Sequence, residues 1–169
     1  MKAIYLVAAT AVANCSAIEA ALEEIEQEAI AEARDFSHAG MAYDYATDSF
    51  SGLTPTDVNN MPVTGTAIYN GEYTASVSDL GSGTGTGDGD AVVTAYFGAS
   101  TAQLELTGAL TATLKGQIAG NEIRKPPLSF SITGFTGTFY GTNASRIAGE
   151  FAGYDQNSDY VSGAYIVKK

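Results

Sequence analysis

The strongest constraint on the fold is the pattern after Met61, where apolar and polar residues alternate in short segments punctuated by glycine. Alternation with a period of two sends successive side chains to opposite faces of a β-strand. The alternating segments are Thr66–Tyr69, Ala91–Phe97, Ala102–Leu106, Leu110–Leu114, Phe130–Thr133, Phe135–Tyr140, Ile147–Tyr154 and Tyr160–Val167. Tight turns between neighbours predict a mainly β, antiparallel up-and-down meander. Eight strands of this kind can close into a barrel without exposed edges.

The two faces of these segments differ in chemistry, and this decides which face lies inside. One face carries Leu104, Leu106, Leu110, Ala112, Leu114, Phe130 and Ile132; the other carries Thr94, Glu105, Thr107, Thr111, Thr113, Ser131 and Thr133. Most segments are shorter than the roughly 9–11 residues of a membrane-spanning strand. We therefore expect the apolar face inside, where side chains fill a small barrel. Binding would then fall on the loops or the outer wall.

Residues 1–15 have the shape of a short secretory signal, with Lys2 followed by the apolar run Ala3–Ala13. Cys15 follows at once and is the candidate for lipidation, which would tether the chain to an outer membrane. The alternative is that this run is the buried start of a longer helix, with Cys15 as a small hydrophobic residue.

Residues 16–60 are predicted to form an acidic helix and a linker. Within Ala17–Arg34, apolar residues recur at the three- and four-residue spacing of an amphipathic helix: Ile18, Ala21, Leu22, Ile25, Ala29 and Ala33. This helix could pack on the barrel, pair with another chain, or act as a spacer. Asp35–Asn60 shows no sustained period and reads as linker, with a short strand around Met41–Tyr45.

The charge distribution excludes a nucleic-acid partner. The formal net charge is −11, and residues 1–60 hold Lys2 and Arg34 as their only bases. Neutralising phosphates requires clustered Lys and Arg, which the chain lacks.

Several segments within residues 61–169 resemble segments of a known protein family. They are Met61–Gly71, Thr94–Gly98, Gly137–Ala144, Ile147–Phe151 and Gly163–Tyr165. They resemble, in order, segments of the β-barrel domain of transferrin-binding protein B and related bacterial surface lipoproteins, including the factor H-binding protein barrel.

Individual residues of these segments also have a physical interpretation. Gly141 is expected to end a strand in a conformation that other residues avoid. Phe139 and Phe151 are expected in the interior, and Gly149 is expected to leave space for a neighbouring ring.

The resemblance implies a non-catalytic binding protein, at the cell surface or outer membrane, or in the periplasm or medium. Its partner would be a host or environmental protein or an iron-related ligand. Two alternatives stay open. The chain could be an assembly module that pairs through its acidic helix, or a carrier of haem or another small ligand. We expect no resident cofactor, no metal site and no enzymatic activity.

Two polar loops are the candidate contact regions. Asn121–Pro127 is basic and stiffened by proline, and Ile123 there could be an exposed anchor beside Arg124 and Lys125. The alternative is that this segment is an ordinary long connection. The second loop runs between Tyr154 and Tyr160.

Two weaker candidates concern metals and cofactors. His38 is expected to be an exposed linker residue, because one histidine without a second ligand gives little support to a haem site. Gly81–Asp90 is expected to be a flexible hairpin loop. Its residues Asp88 and Asp90 could also bind calcium weakly.

Overall fold

The computed structural model describes residues 36–44, 47, 49–79, 83–125, 134–154 and 160–169. The signal segment, Cys15, the helix Ala17–Arg34 and the segment Phe130–Thr133 lie outside the described residues. No helix in the described part of the chain is both long and apolar enough to cross a bilayer.

The described elements are almost all β-strands. They are β1 (Phe36–His38), β2 (Met41–Asp44), β3 (Ser49–Ser51), β4 (Thr66–Asp79), β5 (Gly83–Tyr96), β6 (Thr101–Gly108), β7 (Ala112–Ala119), β8 (Glu122–Arg124), β9 (Gly134–Phe135), β10 (Gly137–Tyr140), β11 (Arg146–Tyr154) and β12 (Tyr160–Lys168). Short 3-10 turns occupy Val58–Asn60 and Phe97–Ala99.

Eight of these strands close into the predicted antiparallel barrel. The order around the ring is β10-β8-β7-β6-β5-β4-β12-β11, and pairing of β10 with β11 closes it. The short strand β9 continues the line of β10, since both pair with β11 in one register. Between them, the Thr136 amide donates to the Glu150 carbonyl at 2.8 Å. The prediction of a closed, eight-stranded, mainly β fold is confirmed.

Two predicted loops are strands. The prediction of a loop over Gly81–Asp90 is wrong for residues 83–90, because β5 pairs with β4 along its whole length, from Thr66 opposite Tyr96 to Asp79 opposite Gly83. Backbone hydrogen bonds alone can hold such a pairing, so a glycine-rich segment with no apolar alternation still forms a strand. The loop predicted at Asn121–Pro127 contains β8, which pairs with both β7 and β10.

The barrel interior is a single apolar core. Leu104, Leu106 and Leu110 are buried in it, together with Phe139 and Phe151. The aromatic rings meet at tilted or edge-on angles, with Phe139 lying 6.1 Å from Tyr69 and Phe151 lying 5.8 Å from Tyr73 between ring centroids. The outward residues Thr107, Thr111 and Thr113 are exposed. The apolar face therefore lies inside, as predicted.

Strands β1, β2 and β3 pack beside the barrel. The prediction of a linker is wrong here, because β1, β2 and β3 form an antiparallel sheet; the short strand expected near Met41 is β2. Met41 is buried against Ile166 and Ala148, two apolar side chains on the outer wall. Arg146 adds a hydrogen bond of 2.7 Å from Nε to the Ala39 carbonyl. We refer to this three-stranded unit as the side sheet.

Two glycines behave differently from each other. Gly141 follows β10 with φ +73°, which agrees with its predicted role. A Cβ at Gly149 would overlap the Thr136 carbonyl and the Gly137 Cα. The expectation that Gly149 leaves room for a ring is therefore wrong, because its space is taken by the backbone of the adjacent strand.

Candidate binding surface

The core tyrosines use their hydroxyl groups to fix the barrel. Tyr69 donates to the Ala144 carbonyl at 2.8 Å, and Tyr165 donates to the Thr136 carbonyl at 2.9 Å. The Leu110 amide donates to the Tyr73 hydroxyl at 2.7 Å. Each bond ties a strand to a distant turn or strand. The interior is thus filled by structural groups.

Burial also decides the protonation of these phenols. It raises the pKa of Tyr69 and Tyr73 and raises the pKa of Tyr165 well above the ordinary value. The carboxylates of Asp88 and Asp90 add to the rise in the pKa of Tyr73, while its bond from Leu110 opposes it. Neutral phenols act as hydrogen-bonding groups, and none of these is suited to be a base near neutral pH.

The predicted contact residues lie at one end of the barrel. Successive antiparallel strands alternate in direction, so the end of β8 and the end of β11 lie at the same end, which we call the upper rim. Arg124 and Lys125 are exposed there, and Tyr154 is 41% exposed.

Two of the predicted contact residues are buried. Ile123 is only 2% exposed and lies in the barrel core. The prediction that it is an exposed anchor is wrong, because alternation within β8 turns its side chain inward. Tyr160 is buried in β12, with its ring edge-on to Tyr154 at 5.6 Å.

Arg124 already has a partner on the rim. Its Nε and Nη2 atoms donate to Glu122 Oε2 at 3.0 Å and 2.7 Å. Both side chains are largely exposed. An ion pair in water is worth about 0–1 kcal/mol, so a partner's carboxylate can replace Glu122 at little cost.

A second surface was missed at the sequence level. Ile68 is 56% exposed and Tyr96 is 41% exposed. The β4–β5 register places Ile68 opposite Thr94, so Val92 and Tyr96 are its diagonal neighbours on the outer face. We call Ile68, Val92 and Tyr96 the lower wall patch.

The sequence contained a signal for this patch. In the segment Ala91–Phe97 the alternate residues Ala91, Val93 and Ala95 point inward. Val92 and Tyr96 must then point outward. Adjacent apolar side chains on an outer face indicate a candidate contact surface.

A shallow groove runs between the side sheet and the barrel wall. Its volume is about 320 Å³, and Phe50, Tyr140, Glu122, Arg124 and Glu150 contribute to its lining. That volume is at the low end for ligand pockets, which are mostly apolar and enclose their ligands. The mixed charges of this open groove suit a polar side chain of a partner better than a buried cofactor.

Among the residues that the structure describes, no three His, Cys, Asp or Glu side chains converge as a metal site would require. His38 lies in β1 of the side sheet, so its predicted place in a linker is wrong. Its Nδ1 is 3.4 Å from Glu72 Oε1, which links the side sheet to β4. Asp88 and Asp90 lie exposed in β5.

The comparisons with known proteins bear on this barrel. The sequence profile for the C-lobe and N-lobe beta barrels of Tf-binding protein B matches residues 61–169. The chain belongs to this family. No curated protein matches the sequence significantly.

Solved structures support the same fold. A structure titled "Crystal Structure of Surface Lipoprotein" is 16% identical with a TM-score of 0.50, over 70% of this chain and 66% of that chain. A mutant of transferrin-binding protein B from Actinobacillus pleuropneumoniae gives 15% identity and 0.51 over the same shares. The isotype 1 protein from Neisseria meningitidis gives 15% and 0.51, over 80% of this chain and 34% of that chain.

At these identities the likeness shows the fold alone. The chain also spans less than two thirds of the length of the structures it matches. The sequence profile shows membership of the transferrin-binding protein B β-barrel family, and the solved structures show the same fold. Partners, cellular location and activity are a matter for proposal.

Proposed function

We propose that this chain is a non-catalytic, surface-exposed binding protein whose barrel contacts a host protein through the lower wall patch. The observation that carries the proposal is the contrast between a filled interior and an apolar outer patch. A filled barrel leaves its outer surfaces for contacts. Exposed apolar patches on soluble folds mark protein interaction sites, and Tyr is enriched among residues that dominate binding energy.

We prefer the lower wall patch to the upper rim because the apolar anchor expected at the rim is buried. The rim was expected to use Ile123 as its apolar anchor, and that residue is in the core. Arg124, Lys125 and Tyr154 remain there as a polar contact surface. The patch instead presents an aliphatic residue and an aromatic ring on rigid, fully paired strands. Rigid anchors lose less side-chain entropy on binding.

The partner is proposed from the family. The matched structures include proteins named as transferrin-binding, so serum transferrin is the first probe for this chain. Purified protein should be immobilised and exposed to iron-loaded transferrin, iron-free transferrin and haemin. Saturable binding of transferrin supports a protein-binding role. A saturable shift of the haemin Soret band without protein binding would favour the carrier alternative.

Matched variants locate the contact. Replacing Ile68 and Tyr96 together by Ser should weaken binding at least about tenfold, the effect of losing roughly 1.4 kcal/mol at an anchor. Arg124→Ala and Tyr154→Ala test the upper rim, and Thr113→Ala is an outward control on another strand. Loss of binding confined to the rim variants would move the site there. Far-UV circular dichroism should be unchanged in all of them.

The cellular location is proposed together with the tether. Residues 1–15 resemble a signal that ends at Cys15. An acylated Cys15 would hold the barrel at an outer-membrane surface, where a host protein can reach it. Labelled palmitate should enter wild-type protein and be absent from Cys15→Ser. Equal labelling of both proteins, or of neither, would leave the chain without this tether.

A further inference from the structure

Some side chains on the outer face of the barrel are buried, although this face would ordinarily be exposed to water. Six outward side chains toward the upper ends of β4, β12 and β11 are buried, and they are mostly small: Thr74, Ser76, Ala152, Tyr160, Ser162 and Ala164. Tyr154, the last residue of β11, is an exposed neighbour of this area. The pairing register joins them into one area, since Ser162 is opposite both Ser76 and Ala152. On β6 and β7 the outward residues Thr107 and Thr113 are exposed. We call this buried area the upper wall.

The side sheet covers the neighbouring area. Its apolar residues pack on Ile166, Ala148 and Tyr140. Within the described ranges, Ala152 and Tyr160 form a separate small cluster, and the ring beside Tyr160 is that of Tyr154, which is itself 41% exposed. The cover of the upper wall is therefore to be sought in the chain outside those ranges.

Two serine hydroxyls indicate that the element lying on the upper wall is apolar. Ser76 is 0% exposed and Ser162 is 3% exposed. Neither hydroxyl has a hydrogen-bond partner in the described part of the chain. Water at an open wall would solvate both groups, and burying a hydroxyl without a partner is unfavourable. An apolar element must lie against them, and the small Ala and Ser side chains let it approach closely.

We propose that the predicted helix Ala17–Arg34 lies on the upper wall and packs its apolar stripe against it. The stripe of Ile18, Leu22 and Ile25 supplies the large side chains that the wall lacks. Eighteen helical residues are about 27 Å long, enough to cross three strands spaced about 4.8 Å apart.

Chain connectivity supports this occupant. The segment ends at Arg34, two residues before Phe36 begins β1. Strand β1 itself packs beside β12 and β4, and its His38 reaches Glu72 on β4. The chain thus enters the side sheet next to the upper wall. In this arrangement the acidic side of the helix faces water, and the helix is bound within its own chain.

The test measures access to the wall in the full chain. In a Cys15→Ser background, Ser162→Cys places a near-isosteric thiol under the proposed helix, and Thr113→Cys places one on the open wall. We expect Ser162→Cys to react with a thiol reagent at least 100-fold more slowly than Thr113→Cys. Adding Leu22→Asp and Ile25→Asp should raise its rate at least tenfold. Adding Ala20→Asp and Gln27→Asp, on the polar side of the helix, should leave it unchanged.

Three results would overturn the proposal. Rapid labelling of Ser162→Cys in the otherwise wild-type chain means that the wall is open. Protection that survives Leu22→Asp and Ile25→Asp means that another segment covers it. Protection that disappears on dilution means that a second copy does so. Circular dichroism checks that each variant is folded, and an intramolecular disulfide between Ser162→Cys and Ile25→Cys gives independent support.

Discussion

At the scale of single residues, Tyr165 couples the stability of the barrel to alkaline pH. Burial first, then Glu150 and Tyr140, raise the pKa of Tyr165 well above its ordinary value of 10. Below pH 10 the phenol keeps its proton in both the folded and the unfolded chain, so its contribution to stability is complete. Above pH 10 the unfolded chain ionises while the folded chain does not, and stability is lost as pH rises toward the folded pKa.

The resulting prediction is a stability loss of up to about 1.4 kcal/mol per pH unit above pH 10 for this phenol. It is measured as the free energy of unfolding in urea from pH 9 to 11.5. Tyr165→Phe removes the ionisable group and should flatten the slope by that amount. Because Tyr69, Tyr73 and Tyr140 also have a raised pKa, a shallower loss should remain. An identical slope in the variant would contradict the assignment.

Gly149 gives a second prediction at this scale. A methyl group there would overlap the backbone of the neighbouring strand, which cannot move without breaking pairs. Gly149→Ala should lower the free energy of unfolding by about 2–3 kcal/mol. Gly98→Ala is the control, because its Cβ would have nothing within 4 Å, and it should change stability by less than about 0.5 kcal/mol. Equal urea midpoints for the two variants would show that the strand can yield.

Single residues also show where sequence reasoning succeeds. Phe139 and Phe151 are in the core as predicted, because long alternating segments fix the direction of each side chain. Ile123 was misplaced because β8 has only three residues, too few to show a period. Charged neighbours at Glu122 and Arg124 then made an exposed loop the simpler interpretation.

At the scale of elements, the missed strands lack the apolar alternation by which a strand is recognised. Residues 83–90 alternate glycine with Thr or Asp, so no apolar face marks them as a strand. They pair because β4 offers a full-length partner. The side sheet consists of strands of three or four residues whose stability comes from the wall beneath them. Neither property can be recognised from the segment itself.

Met41 is the most deeply buried side-sheet residue in the cluster that joins the side sheet to the barrel wall. Its side chain is almost fully buried against Ile166, Ala148 and Tyr140. Met41→Ala should destabilise the docked sheet by about 2–4 kcal/mol through lost burial and a cavity. Hydrogen exchange of the β1–β3 amides should speed up, while the β4–β5 amides keep their protection. Val63→Ala, at a highly exposed residue, is the neutral control. Equal acceleration in both strand groups would mean that the sheet and barrel unfold as one unit.

At the scale of the whole molecule, the least extensively paired seam of the ring lies between β8 and β10. Strands β4 and β5 pair over their full 14 residues. Strand β8 has 3 residues, and its register with β10 covers Gly137 opposite Ile123 and Thr138 opposite Glu122. The Phe139 amide adds a bond of 2.9 Å to the Asn121 carbonyl at the edge of this seam. Few backbone bonds hold this seam among the described residues 122–125 and 134–140, so we expect side-chain packing by Ile123 to supply much of its stability.

Regions with few protected bonds open before the rest of a fold, which predicts an exchange gradient around the ring. Amides of β8 and β10 should exchange fastest, and those of β4 and β5 slowest. Ile123→Ala should widen the gap by costing the seam about 2–4 kcal/mol, whereas Arg124→Ala, one residue away and exposed, should leave it unchanged. Mass-spectrometric exchange of the two variants measures this directly. Uniform protection around the ring would mean that closure is fully cooperative and that the short strand is held by the core as firmly as the long hairpin.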